Sequence, residues 1–360
     1  MLGRKRRIAL LAEGSFTPAD AKTAVGVLRW RPQEVVAVID SSRAGRTTQD
    51  CVGVGGSVPV VRDLEQAAQY DADTLLIGIA PTGGALPASW RSVVAEALMR
   101  GWDVLSGLHQ FLSDDAELAT LAESRNCRIH DVRRPPETRP IAARRAGQLD
   151  AMVVLTVGSD CNVGKMTTSL ALKQDLEARD LRVRFVATGQ TGMFIADSGA
   201  AIDAIPSDFV AGVVEELVLD AASDADIVLV EGQGSIHHPG YSGVSLSLLH
   251  GCCPDAMVLC HQAGRTHIHI AQAAPSPRIK ALSELIRDHE RAAGWLMPSR
   301  VIGISLNTLT LDETEAKRAV EHAGHLTGLP VTDPVRFGTE AVANAIVWRM
   351  EERRRRATAS

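Results

Sequence analysis

Short apolar runs alternating with helical stretches predict an α/β protein built from two parallel, doubly wound sheets. Three observations carry this. Strand and helix patterns interleave from the start to residue 133, a Pro- and Arg-rich break interrupts them, and the alternation restarts at a glycine-bounded loop. Parallel strands are buried on both faces, so they read as continuous apolar runs rather than as an in-out alternation.

In the first domain, residues 1–133, the runs Arg7–Ala12, Val35–Asp40, Thr74–Ala80, Asp103–His109 and Cys127–Val132 are short and bounded by turn residues, as strands are. Ala19–Leu28, Leu64–Gln69, Ser89–Arg100 and Asp114–Ser124 fill the gaps as helices. Asp40 ends the second strand, where dinucleotide folds set an acid against a ribose. The first turn, however, reads AEGSFTPADAK and has no GxGxxG. The expectation is a Rossmann-like domain with a structural or substrate-capping role.

Successive prolines in RRPPETRPIAARRAGQ (Arg133–Gln148) forbid continuous helix or sheet, so 134–150 reads as a linker. The second domain, 151–352, has strands expected at Ala151–Val157, Arg182–Thr188, Asp226–Glu231, Ala256–His261, Val301–Asn307 and Pro330–Thr332. Helices are expected at Gly164–Arg179, Asp208–Ala222, Pro277–Ala293, Leu311–Gly324 and Thr339–Glu352. The Arg-rich residues 353–360 read as a disordered tail.

The run AMVVLTVGSDCNVGKMTTSLAL is a buried strand, a glycine-bounded loop and a helix. That order makes an anion site: loop amides converge at a helix N-terminus, and a lysine adds a point charge. Gly158, Asp160, Cys161, Asn162, Val163, Gly164, Lys165, Met166, Thr167 and Thr168 are assigned to it, which makes the second domain P-loop NTPase-like. Two departures matter. Five residues separate Gly158 from Gly164, and Met166 stands where a Ser or Thr gives its hydroxyl to Mg²⁺. Thr167 or Thr168 can substitute only at the cost of about 100° of rotation per residue.

Ligands of doubly wound sheets bind beyond the carboxyl ends of the strands. The second of these strands leads into VATGQTGMFIADSG, where Gln190 and Thr191 offer side-chain hydrogen bonds to a substrate. The third leads into DIVLVEGQGSIHHPGYSG, with Glu231, Gln233, His237 and His238. Glu231 reads as a metal ligand or general base, or else as a brace for the phosphate loop. Of the two adjacent histidines, one is expected to be catalytic and one structural. The fourth leads into CHQAGRTHIHI, whose His and Cys spacing fits no tight zinc site, so no metal is assigned. Arg265 with His267 reads as a holder of a substrate anion. Asn307, ending the fifth, suits either an adenine edge or a plain turn.

The whole sequence has 360 residues, 45% hydrophobic and 22% charged, with a formal net charge of −5 and a pI near 6.1. This suits a globular protein with two cores and argues against a nucleic-acid partner. No apolar run reaches the roughly 18 residues of a membrane span. The N-terminal run Ile8–Ala12 stops at Glu13, so it reads as a strand rather than a signal peptide. Six cysteines without CxxC spacing fit reduced thiols in a cytoplasmic protein, and a homodimer is the default association.

GSDCNVGK, ATGQTG and VEGQG resemble, in the same order, the motifs of dethiobiotin synthetase, whose phosphate loop also carries the extra residue. Thr188 and Gly189 stand where that family has a lysine before its QTG. A longer resemblance covers nearly the whole chain. GSDCNVGKMTT, FVATGQTGMFIA, VEGQGSIHHPGYSG and VLCHQAGRTHI, behind IAPTGG and SGLH, are similar to a two-domain P-loop family associated with D-glutamate N-acetyltransferase. That resemblance implies acetyl-CoA as co-substrate, with its phosphates on the P-loop. It also implies a small amino-acid acceptor, and a place in D-amino-acid breakdown beside an enolase-superfamily enzyme. Lys165, Glu231 and His237 are then the catalytic residues, and Gln190, Thr191, Gln233, His238, Arg265 and His267 hold substrate. The other reading is an ATP- and Mg²⁺-dependent kinase or ligase of the dethiobiotin synthetase kind.

Overall fold

The computed structural model describes residues 6–359 except 19, 80, 82, 197 and 271–274. The start of the helix expected at Ala19 and two residues of IAPTGG, Ala80 and Thr82, lie outside the described residues. The chain folds as two compact units, Met1–Pro136 with Gly189–Ala204, and Glu137–Thr188 with Ile205–Ser360.

In the first unit β1 (Ile8–Leu11), α1 (Lys22–Trp30), β2 (Val35–Ile39), α2 (Thr48–Val52), β3 (Val60–Val61), α3 (Leu64–Ala68) and β4 (Thr74–Ile77) follow in order. Then come α4 (Arg91–Met99), β5 (Asp103–Ser106), α5 (Ala116–Ser124) and β6 (Ile129–Asp131). The strands are all parallel in the order β3-β2-β1-β4-β5-β6, the arrangement of a Rossmann-like sheet. Successive strand residues point to opposite faces. Leu11, Ile39, Leu75, Ile77 and Val104 fill one core, while Leu10, Val38, Leu76 and Leu105 fill the other. Asp40 has both oxygens engaged. It accepts from the Phe16 amide at 3.0 Å and from the Ser42 amide at 2.9 Å, with the Ser42 hydroxyl also on it. The acid at the ribose position thus closes its own loops.

The second part of the chain supplies β7 (Met152–Gly158), α6 (Lys165–Glu177), β8 (Val183–Val186), α7 (Gln190–Ala196), α8 (Ser207–Ala222), β9 (Ile227–Val230) and α9 (Ser242–Cys252). It continues with β10 (Ala256–Gln262), α10 (Leu282–Gly294), β11 (Arg300–Asn307), α11 (Glu313–Thr327), β12 (Val331–Thr332) and α12 (Glu340–Ala359). All strands pair in parallel, in the order β12-β11-β10-β7-β9-β8. The two parallel α/β sheets confirm the expected fold class. β7 is central and buried at every residue. From β7 the chain runs out to β8, fills in β9, then crosses to β10, so the loops leaving β7 and β10 diverge at a switch point.

Four elements were not expected, among them α2, a single capped turn of five residues. β3 has two residues, too short for a pattern. α7 and α9 interrupt glycine- and serine-rich stretches that read as loops. The tail requires a correction as well, because α12 continues to Ala359. Arg353 pairs with Asp255 at 3.0 Å and donates to the Leu149 and Asp150 carbonyls, and Arg354 pairs with Asp226 at 3.0 Å. Half-buried carboxylates turn a run of like charge into an anchored helix. The linker is likewise held at its end. Glu215, fully buried, accepts from the Ala143 and Arg145 amides at 3.0 and 2.7 Å and from the Arg145 guanidinium at 2.9 Å. No described helix is long and apolar enough to cross a membrane.

Candidate active site

β7 ends at Gly158 and α6 begins at Lys165, with the loop Ser159–Gly164 between them. Asn162 and Gly164 take left-handed φ values of 57° and 105°, which curl the loop over the helix end. Gly164 caps α6 with no side chain bonded to the first turn, and that turn contains no acid. The first amides and the positive end of the helix dipole are left for an anion.

Lys165 is buried at 6% exposure, and its ammonium donates to the Asp160 carbonyl at 2.7 Å. A Cβ on Gly158 would sit 2.8 Å from that ammonium, so the missing side chain makes room for the lysine. Burial pushes the Lys165 pKa down. The nearby Cys260, Cys161, Asp160 and Glu231 pull the other way.

Asp160 is fully buried and locks the loop. One oxygen accepts from the Cys161 amide at 2.7 Å. The other accepts from the His269 amide at 2.7 Å and pairs with Arg265 at 3.1 Å. Arg265 also donates to the Cys161 carbonyl at 2.9 Å. The guanidinium expected to hold a substrate carboxylate is therefore a brace of the phosphate loop. Its expected partner His267 is exposed and bonds the neighbouring Thr266 hydroxyl at 2.9 Å. Ser159, also buried, meets His261 Nδ1 at 2.8 Å. Burial first, and Arg265 second, push His261 down to about 4, which keeps it neutral.

The hydroxyl of Thr168 turns away from the loop. It donates to the Gly164 carbonyl at 2.9 Å and meets Ser305 at 2.7 Å. This removes Thr168 as a substitute for the missing magnesium hydroxyl, while Met166 and Thr167 remain half-buried at the start of α6. Asn162 is exposed at the loop tip and Val163 is buried beneath it. Asn307 Oδ1 accepts from the Leu309 amide at 3.0 Å, so its carbonyl closes a turn rather than reading a base. Cys260 lies behind the loop, and burial raises its thiol to about 11, too high for a nucleophile at neutral pH.

Glu231 leaves β9 next to β7. It accepts from the Thr188 amide at 3.0 Å, while the Thr188 hydroxyl donates to the Glu231 carbonyl at 2.8 Å and receives the Gln233 amide at 3.1 Å. Gly232 makes this approach feasible. A Cβ there would lie 1.7 Å from the Thr156 carbonyl oxygen.

The adjacent histidines differ in their partners. His238 is buried, accepts from the Gly240 amide on Nδ1 at 3.1 Å and donates from Nε2 to the His269 carbonyl at 3.1 Å. Both nitrogens are spent, which makes it structural rather than substrate-binding. His237 meets Asp288 of α10 through Nε2 at 2.8 Å, while its Nδ1 is buried with no hydrogen-bond partner. Asp160, Cys161 and His238 bring one metal-ligand atom each within 4.8 Å of one another. The bonds just described occupy the carboxylate and both ring nitrogens, so the trio acts as a bonded corner of the loop.

Gln190 and Thr191 open α7 and belong to the first unit, where Thr191 meets the Thr23 hydroxyl at 3.0 Å. The sequence reading missed Asp288, which sits in the amphipathic stretch LSELIRDHERAAG among other charges. It also missed His289, which lies behind His237 with ring centroids 6.1 Å apart.

Residues 140–343 match the family model described as a domain of unknown function, DUF1611_C, P-loop domain. Residues 41–135 match its counterpart, DUF1611_N, Rossmann-like domain. A D-glutamate N-acetyltransferase of Tritonibacter scottomollicae is 38% identical over 329 residues, 91% of this chain and 94% of that protein. Another of the same name, from a Pseudoalteromonas species, is 37% identical over 278 residues, 77% of this chain and 82% of that protein. The crystal structure of a DUF1611 family protein from Anabaena variabilis has a TM-score of 0.90 at 39% identity, covering 95% of this chain and 99% of that one. The chain belongs to the DUF1611 family, in which a Rossmann-like N-terminal domain is joined to a P-loop C-terminal domain.

Proposed function

We propose that this transferase moves an acetyl group from acetyl-CoA to the amine of D-glutamate or a closely similar amino acid. The observation that carries the reading is a phosphate loop that lacks the usual magnesium hydroxyl at the position after its lysine. Met166 replaces the usual ligand, and the Thr168 hydroxyl is spent on Gly164 and Ser305. A loop of this kind holds phosphates without cleaving them. The phosphates of coenzyme A fit that role, and the names of the curated relatives supply the reaction.

In this reading the α6 amides and Lys165 bind the phosphates. His237 Nδ1 takes a proton from the acceptor amine as its nitrogen attacks the thioester carbonyl. The Gln233 amide and loop amides donate to the developing oxyanion. The attack forms the C–N bond, and collapse of the oxyanion restores the carbonyl and breaks the C–S bond, releasing the thiolate, which leaves as the thiol with the proton His237 has taken. Cys260, fully buried with its thiol pushed up to about 11, takes no part in the transfer in this reading.

The test is titration calorimetry with acetyl-CoA and with Mg·ATP, followed by assay of free thiol with D- and L-glutamate. Micromolar acetyl-CoA binding and thiol release that requires D-glutamate are expected. Tight, magnesium-dependent ATP binding with ADP formation would overturn the reading in favour of a kinase or ligase.

A further inference from the structure

An imidazole acts as a base only through the nitrogen that lacks a proton, so the group bonded to the other nitrogen decides which one that is. We infer that Asp288 is a positioning residue that fixes His237 as the Nε2–H tautomer and so makes Nδ1 the proton acceptor of the transfer. The inference rests on the acetyl-transfer reading above and adds to it a residue outside the phosphate loop and its motifs.

The geometry is specific. Asp288 Oδ2 lies 2.8 Å from His237 Nε2. The same oxygen accepts from Lys280 at 2.6 Å. The Lys280 ammonium, with His237 beside it, holds the Asp288 carboxyl below its usual range and so keeps it ionised. An ionised carboxylate can only accept, so Nε2 must carry the proton. The lone pair of the neutral ring then lies on Nδ1, the atom that is buried without a partner.

The groups around the ring support this assignment. His289 meets His237 edge to face from α10. It is held neutral, pushed down to about 4 by burial, and its Nδ1 is engaged with the Leu285 carbonyl at 2.7 Å, so it neither competes for the proton nor adds charge. The His237 amide is tied to Ser235 Oγ at 3.2 Å, which fixes the backbone beneath the ring. Neighbouring His238 has no nitrogen to spare, and the Glu231 carboxylate is held by the Thr188 amide. A carboxylate behind a histidine whose far nitrogen is left without a partner is the arrangement used to orient a general base.

Asp288→Asn keeps the shape but removes the charge, and its amide can donate to Nε2, stabilising the wrong tautomer. The expected result is a fall in kcat of about 100-fold or more, with KM for acetyl-CoA and D-glutamate within about threefold. Asp288→Glu should recover part of the loss. The direct readout is the ¹⁵N spectrum of histidine-labelled protein, with the His237 signals assigned from His237→Gln. Wild type should show a protonated Nε2 and a bare Nδ1, and Asp288→Asn a mixture or the reverse. If Asp288→Asn keeps wild-type kcat while His237→Gln is inactive, or if the tautomer is unchanged, the positioning role is wrong. If His237→Gln itself retains full activity, the fault lies with the choice of His237 as base.

Discussion

The ammonium of Lys165 rests 2.7 Å from the main-chain oxygen of Asp160, within its own loop, so the lysine has a partner before any phosphate arrives. An arriving phosphate competes with that carbonyl and favours the charged form of a lysine that burial disfavours as a cation. Lys165→Ala should raise the Kd for acetyl-CoA at least tenfold while leaving the melting temperature unchanged or slightly higher. Calorimetry and thermal melting check both halves, and unchanged affinity would mean the anion binds elsewhere.

Arg265 and Asp160 form a pair that is buried on the carboxylate side. Removing one partner of such a pair costs about 3 kcal/mol, because the other is left uncompensated. Arg265→Ala and Asp160→Ala should each destabilise by about that much, and the double variant by clearly less than their sum. Denaturant unfolding of the four proteins decides it. Additive losses would mean the pair is not coupled.

Gly232 and Gly243 are a matched contrast. A Cβ at Gly232 meets the Thr156 carbonyl oxygen at 1.7 Å, whereas at Gly243, inside α9, it meets nothing within 4 Å. Gly232→Ala should cost about 3 kcal/mol or more and push β9 away from β7. Gly243→Ala should be neutral or gain up to about 1 kcal/mol from helix propensity. Thermal melts of the two variants check the pair.

Acid should weaken the fold through His289. Its folded pKa of about 4 lies below the ordinary 6.5, so between those values the unfolded chain binds the extra proton and stability rises with pH. Going from pH 7 down through 4, this residue alone should remove about 3 kcal/mol. His289→Phe should flatten the curve of unfolding free energy between pH 6.5 and 4, and an unchanged slope would mean other groups dominate.

The phosphate loop was legible because its chemistry is local. Glycines, lysine and helix start lie within a few residues, and backbone physics fixes what they form. Arg265 was legible as a charge but not as a brace, since its partner Asp160 is distant in sequence and only the adjacency of β7 and β10 brings them together. Asp288 looked like one acid among several on an amphipathic helix. α9 hid because SGVSLSLLHGC has weak helix formers, and burial of Leu248, Leu249 and Cys252 holds it in place of propensity. The Arg-rich end of α12 failed for the same reason in reverse, since its charges are answered by Asp255 and Asp226, residues no local pattern connects to it.

The segment Gly189–Ala204 is encoded within the second half of the chain but packs with the first. Phe194 joins Leu10, Val27, Val38 and Leu76 in one core, and the Ile195 carbonyl receives the Arg31 guanidinium at 2.7 Å. A fragment cut at Pro136 would be missing a piece of its own interior. One starting at Glu137 would carry a greasy helix with nothing to cover it. Recombination between relatives must therefore exchange residues 189–204 together with residues 1–136, so the heritable module is discontinuous in the gene.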